Sequence, residues 1–290
     1  MSSWLLTLLL STTQAAEPDD AAAILSRYPA GMMPSSEPVM SAIETLGASG
    51  DPADRAVLES LHEMEKPPIA SAAATALAAI DRRALRTEYT APDSRQIRRW
   101  LAEQPHTLTR PDGSQLGRSE QEALGYAALI LGSPRSSTLG ERDLLIEAEG
   151  LEDAGDAAGA LLLYAKAAAM GEPGALSTIR DFGVDPELLL LGMSVPTQEP
   201  MIERVPPQAL DVLIREGSTK TVAVLIERVD TAGHIERAVA LDALADMLRT
   251  TPLPASSRRN ARSELEKAAT SSREAALSAF AREALADLEW

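Results

Sequence analysis

A histidine followed at once by a glutamate stands in the stretch His62-Glu63-Met64-Glu65-Lys66. A hydrolytic zinc site borne on a helix requires a second histidine one turn later, so that both imidazoles face the ion while the glutamate acts as base. Lys66 occupies that position, and the metal chemistry fails with it. On a helical wheel His62 falls beside Leu58 and Leu61, the place of a histidine at the margin of an apolar face. His106 lies in a proline-containing stretch and His234 opens a helical segment, and no spacing joins either to a partner.

Glu63 with Glu65, and Asp242 with Asp246, are carboxylate pairs of the kind that general acid/base chemistry uses. In a chain with 43 acidic residues such pairs arise by chance, and a solvated helix face accounts for them. The sequence has no glycine-rich phosphate loop, no Gly-x-Ser-x-Gly elbow and no Ser-x-x-Lys with its supporting motifs. It also has no cysteine, so thiolate metal sites, a cysteine nucleophile and disulfides are excluded. The expectation is a non-enzymatic chain without catalytic residues, metal or cofactor.

Two basic clusters interrupt the acidic background: Arg95, Arg98 and Arg99 beside Trp100, and Arg258, Arg259 and Arg262. Arginine with tryptophan makes a binding hot spot, because the guanidinium offers planar hydrogen bonding and the indole a large apolar contact. These seven residues are the candidate partner-binding site. The competing account is pairing within the chain, for instance Arg262 with Glu266 one turn on.

Such residues need elements to hold them, and the composition points to helices. Ala, Leu, Glu and Arg dominate, aromatic residues make up 3%, and alternating runs of β-branched residues are scarce. The fold class expected is all-α. A net charge of −16 argues against nucleic acid or an anionic membrane surface as main partner and leaves basic protein surfaces or cations.

The first sixteen residues have the layout of a signal peptide, with an apolar core from Trp4 to Leu10, small polar residues, and Ala15-Ala16 before the first acid. That core is too short to span a bilayer. Export to the periplasm or the extracellular space is expected, with no stable membrane insertion after cleavage.

Ala243-Leu244-Ala245-Asp246-Met247 returns 41 positions later as Ala284-Leu285-Ala286-Asp287-Leu288. Leu241, Leu244, Ala245 and Leu248 form one helical stripe, and Leu277, Phe280, Ala281, Ala284 and Leu288 another. Each is preceded by a further amphipathic segment, striped by Val222, Leu225, Ile226 and Val229 in one case and by Ala261, Leu265, Ala268 and Ala269 in the other. The unit is a helical hairpin of about 40 residues. A third copy lies upstream, where Val57, Leu58, Leu61 and Met64 stripe a helix opened by Asp51-Pro52 and Ala76-Leu77-Ala78-Ala79-Ile80 ends the next.

On these residues the chain resembles the HEAT-repeat family over 51–81 and 219–290. The stretch from Gly155 to Gly171, with Ala160, Tyr164, Lys166, Ala167 and Ala168, then Ala175 and Gly183-Val184-Asp185-Pro186, resembles a tetratricopeptide or Sel1-like unit at about 150–190. Both resemblances imply an α-solenoid of antiparallel helical hairpins with right-handed superhelical stacking, and a role in binding other proteins.

The expected layout is a signal peptide at 1–16, a linker at 17–36, a HEAT-like region at 37–145, a tetratricopeptide or Sel1-like hairpin at 146–191, a linker and hinge at 192–207, and HEAT-like repeats at 208–290. Proline, glycine and serine mark 105–118 and 132–140 as exposed loops. The function expected is an exported scaffold or adaptor that binds a protein or peptide. The alternative is a small-ligand binder or enzyme with a pocket between the N- and C-terminal arrays.

Overall fold

The computed structural model describes residues 21, 23, 25, 37–49, 51–64, 67–104, 108–132, 143–199, 201–205, 208–216, 218–271 and 274–288. The signal peptide, most of the 17–36 linker, most of the 132–140 loop, His106 and Trp290 lie outside this set, whereas Ala21 and Leu25 of the expected linker are helical and buried in the first unit's core. Every bounded element is helical, and among the described residues extended pairing is confined to one antiparallel bridge between Thr109 and Gln115. The fold is all-α. The chain forms two compact units, Met1–Ala84 and Leu85–Trp290.

In the first unit, α1 (Glu37–Ser49) leads through a 3-10 turn (Pro52–Asp54) to α2 (Arg55–Met64) and α3 (Pro67–Glu88), whose last turn belongs to the second unit. Asp51 starts the turn as an Asp-Pro pair should, its Oδ1 accepting from the Ala53 N–H at 2.8 Å. Val39, Ile43, Leu46, Leu58, Leu61, Ile69, Ala73 and Ile80 make the core. Gly47 lets α1 lie directly on α3, since a Cβ there would be 2.8 Å from that of Ala76. His62 is exposed and its Nδ1 lies 3.2 Å from the Ala70 carbonyl oxygen, a link between α2 and α3.

The second unit continues with α4 (Ser94–Glu103), α5 (Arg118–Leu131), α6 (Leu144–Asp153), α7 (Ala157–Ala169), α8 (Ala175–Asp181), α9 (Pro186–Ser194) and α10 (Ala209–Glu216). Helix α5 is the centre, with α4, α7, α9 and α11 (Thr219–Thr231) all packed on it. Its small residues make this possible: Gly192 of α9 seats against Ala123 and Ala127, and Gly125 receives Ile97 and Trp100 of α4. Helix α7 is buried on every side from Gly159 to Ala169, as expected of a helix apolar all round. Gly171 and Gly174 take φ of 84° and 85°, so the chain turns there before α8 starts at Ala175. Asp185 then caps α9, with Pro186 in its first turn.

After α11 come α12 (His234–Thr250), α13 (Ala255–Thr270) and α14 (Ala275–Asp287). From α11 onward each helix packs on the next and on the next but one, and the apolar stripes form a single core. The 41-residue return is thus two successive helical pairs, its inner copy in α12 and its outer copy in α14.

Carboxylates from distant elements fasten three helix starts, where unpaired N–H groups favour an anion. Glu227 of α11 accepts from the Ser119 N–H at 2.7 Å at the start of α5. Glu187 of α9 accepts from the Ser218 and Thr221 N–H groups at the start of α11. Asp112 accepts from the Gly233 N–H at 2.9 Å ahead of α12.

Two expected loops differ from their prediction. Residues 108–117 are not simply exposed, because Arg110 is 1% accessible and Leu116 3%. Of residues 192–207, expected as a linker and hinge, the described ones are packed onto the unit: Val195, Ile202 and Val205 are buried, Gln198 N–H donates to the Thr109 carbonyl at 3.0 Å, and Glu203 pairs with Lys166. Pro196 marks an irregular backbone, but apolar Val195, Ile202 and Val205 tie the stretch to the core.

Candidate partner-binding site

Helix α4 is set by a reciprocal cap. Asp93 Oδ1 accepts from the Arg95 and Gln96 N–H groups at 2.7 and 2.8 Å, while Gln96 Oε1 accepts from the Asp93 N–H at 2.7 Å. These backbone donors hold the Asp93 carboxyl below the usual carboxylate range. Ile97 and Trp100 face α5, where a Cβ on Gly125 would lie 3.1 Å from the indole and 3.2 Å from Ile97. With that face turned inward, the arginines at 95, 98 and 99 are exposed.

None of the three arginines makes an ion pair among the described residues; Arg98 donates its Nε to the Ser94 carbonyl at 3.0 Å. Most other arginines of the unit are engaged: Arg86 with Glu152, Arg110 and Arg228 with Glu120, Arg237 with Glu274, and Arg249 with Asp246. Trp100 is half-buried.

Beside Trp100 lies an open groove of about 300 Å³, walled by Tyr89, Pro92, Arg99, Trp100, Glu103 and Leu129. Tyr89 is held edge-on to Phe182, ring centres 5.8 Å apart. Burial pushes its hydroxyl up to about 12, so it stays a neutral donor at ordinary pH. Sequence reasoning found Arg99 and Trp100 but missed Tyr89 and Leu129, which reach the groove from outside α4.

In the second basic cluster one arginine is ion-paired and two donate to backbone carbonyls. Arg262 pairs with Glu266 one turn on at 3.0 Å, Arg258 donates to the Leu248 carbonyl at 3.0 Å, and Arg259 to that of Ala255 at 3.4 Å. Helix α13 packs on α11, α12 and α14, whereas α4 packs on α5, so the two clusters sit on separate helix groups.

A larger groove, about 560 Å³, runs along α8, α9 and α10 to the start of α11. Its ions already answer one another: Arg180 lies 3.5 Å from Glu216, Lys220 pairs with Asp185, and Glu187 caps α11. His234 stands at the surface, its Nδ1 3.6 Å from Glu274. A buried network of Arg110, Glu120 and Arg228 was also missed, although Gly117-x-x-Glu120 has the spacing of a capping box. No protein-family model, curated protein or solved structure matches the chain.

Proposed function

We propose that the chain is an exported, non-enzymatic α-solenoid, HEAT-like over 51–81 and 219–290 with a tetratricopeptide-like hairpin near 150–190, that binds another protein or peptide through α4. The observation that carries this is the exposed trio Arg95, Arg98 and Arg99, free of ion pairs among the described residues and beside half-buried Trp100, in a chain of net charge −16. The nearest-neighbour packing from α11 to α14 supports the solenoid part, because in repeat arrays each unit rests on its neighbours. The central position of α5 departs from a one-dimensional stack and gives α4 a rigid seat.

The test places a photo-crosslinking amino acid at Glu103 and captures partners from an envelope extract. A stoichiometric protein crosslinked there, and lost when Arg95, Arg98 and Arg99 are changed to alanine with helical circular dichroism unchanged, is the expected result. Capture unaffected by those substitutions removes the site.

A further inference from the structure

We infer that the groove beside α4 takes an extended acidic peptide, with an apolar side chain set among Tyr89, Trp100 and Leu129 and a carboxylate against Arg99. This rests on the protein-binding reading above and names the class of ligand.

Charge complementarity carries the first half. Arg95 and Arg99 lie one turn apart on α4, where like charges repel, and no acid of the described chain comes within ion-pair distance of either. Glu103 is a further turn along and shares the groove with Arg99 without pairing to it. In a chain with 43 acidic and 27 basic side chains an arginine left open in this way favours an outside carboxylate, and Arg99 is open beside a groove that Trp100 and Tyr89 wall.

Unused polar groups carry the second half. The Trp100 indole N–H and the Tyr89 hydroxyl have no hydrogen-bond partner among the described residues, and both residues wall the groove. Two unused donors on residues that wall a groove of mixed polar and apolar lining suit the carbonyls of an extended backbone. Leu129, an exposed leucine at 37% accessibility, supplies the apolar wall opposite. A nucleic acid fits less well, because a phosphate track needs several cations in a row and here three arginines are bracketed by Asp93 and Glu103.

The experiment pans a random twelve-residue peptide library on the full chain and measures binding of the enriched sequences by fluorescence anisotropy. Enriched peptides should carry Asp or Glu within three residues of an aliphatic or aromatic residue. Their affinity should fall roughly tenfold in Arg99→Glu and in Leu129→Asp, and several-fold between 50 and 300 mM salt, as screened charge pairs do. Neither variant touches the Trp100 contact with Gly125, and unchanged thermal melting shows that each remains folded. Enrichment of neutral, basic or proline-rich peptides overturns the inference, as do indifference to both variants and displacement of the peptide by a twelve-nucleotide single strand at equal concentration. A protein crosslinked at α4 together with selected peptides that lack acids sinks this inference and leaves the protein-binding reading standing.

Discussion

Arg228 on α11 donates its Nε to the Oε1 of Glu120 on α5, 2.8 Å apart across 108 positions of sequence. Glu120 is wholly buried, and its other oxygen accepts from Arg110 and from the Gly117 N–H. Arg110 in turn bonds Ser114, the Gln115 carbonyl and Thr231, so one carboxylate ties the 108–117 loop, α5 and α11 together. Two charges that nearly surround an ion of opposite sign are held by geometry, since each was stripped of water to reach this place. Glu120→Ala strands two buried guanidinium groups and should lower the unfolding free energy by about 3–5 kcal/mol. Replacing all three together, with Arg110→Met, Glu120→Leu and Arg228→Met, should cost far less, because no orphaned charge remains. Urea denaturation of the two variants decides it, and equal losses would contradict this account.

The α5–α9 crossing gives a second prediction. A Cβ on Gly192 would overlap the Ala123 carbonyl oxygen and stand 2.7 Å from the Ala127 Cβ, so the helices touch backbone to backbone. Gly192→Ala should push them apart at about 1–3 kcal/mol, the usual cost of overpacking. That corresponds to a fall in melting temperature of roughly 2–4 °C per kcal/mol for a unit of this size. Gly150→Ala, on α6 with nothing within 4 Å of the new methyl, should instead raise the melting temperature slightly.

What was legible in advance follows from where the determining contacts lie. The stripes on α11 to α14 could be read because neighbouring helices meet along faces that repeat every three or four residues. Arg262 with Glu266 was readable for the same reason, both residues belonging to one helix face. Helix α5 was not recognised as the centre, because its main partner α9 is some sixty residues away and nothing local marks Gly192 as the answer to Ala123. The burial of Arg110 was hidden in a stretch with all the composition of a surface turn, and it is paid for by a partner on another helix. At the candidate site the arginines and Trp100 were visible as a cluster, whereas Tyr89 and Leu129 enter from flanking elements.

Asp112 supplies a pH-dependent prediction. It accepts from the Ser114 hydroxyl and N–H and from the Gly233 N–H, and the serine bonds above all hold its carboxyl below the usual range. A carboxyl depressed in the folded state contributes stability that is complete above its unfolded value, near pH 4, and is lost as pH falls through the lower folded value. Wild type should therefore melt above Asp112→Ala at pH 6, and the gap should close as the pH is taken toward 2. A gap that persists unchanged in acid would mean that the charge on Asp112 does not matter to the cap.

The two copies of the repeated pentapeptide should respond unequally to the same change. Leu244 is wholly buried in α12, which is packed by α11, α13 and α14. Its counterpart Leu285 lies in α14, packed among the described residues by α12 and α13 and only half-buried. Leu244→Ala loses the transfer energy of its side chain and leaves a cavity that helices on several sides prevent from collapsing, at about 2–5 kcal/mol. Leu285→Ala removes the same atoms from a place already open to water, and the residues around it can close in, so about 1 kcal/mol is expected. Chemical denaturation of the two variants measures the difference directly. Equal costs would show that α14 is as enclosed as α12.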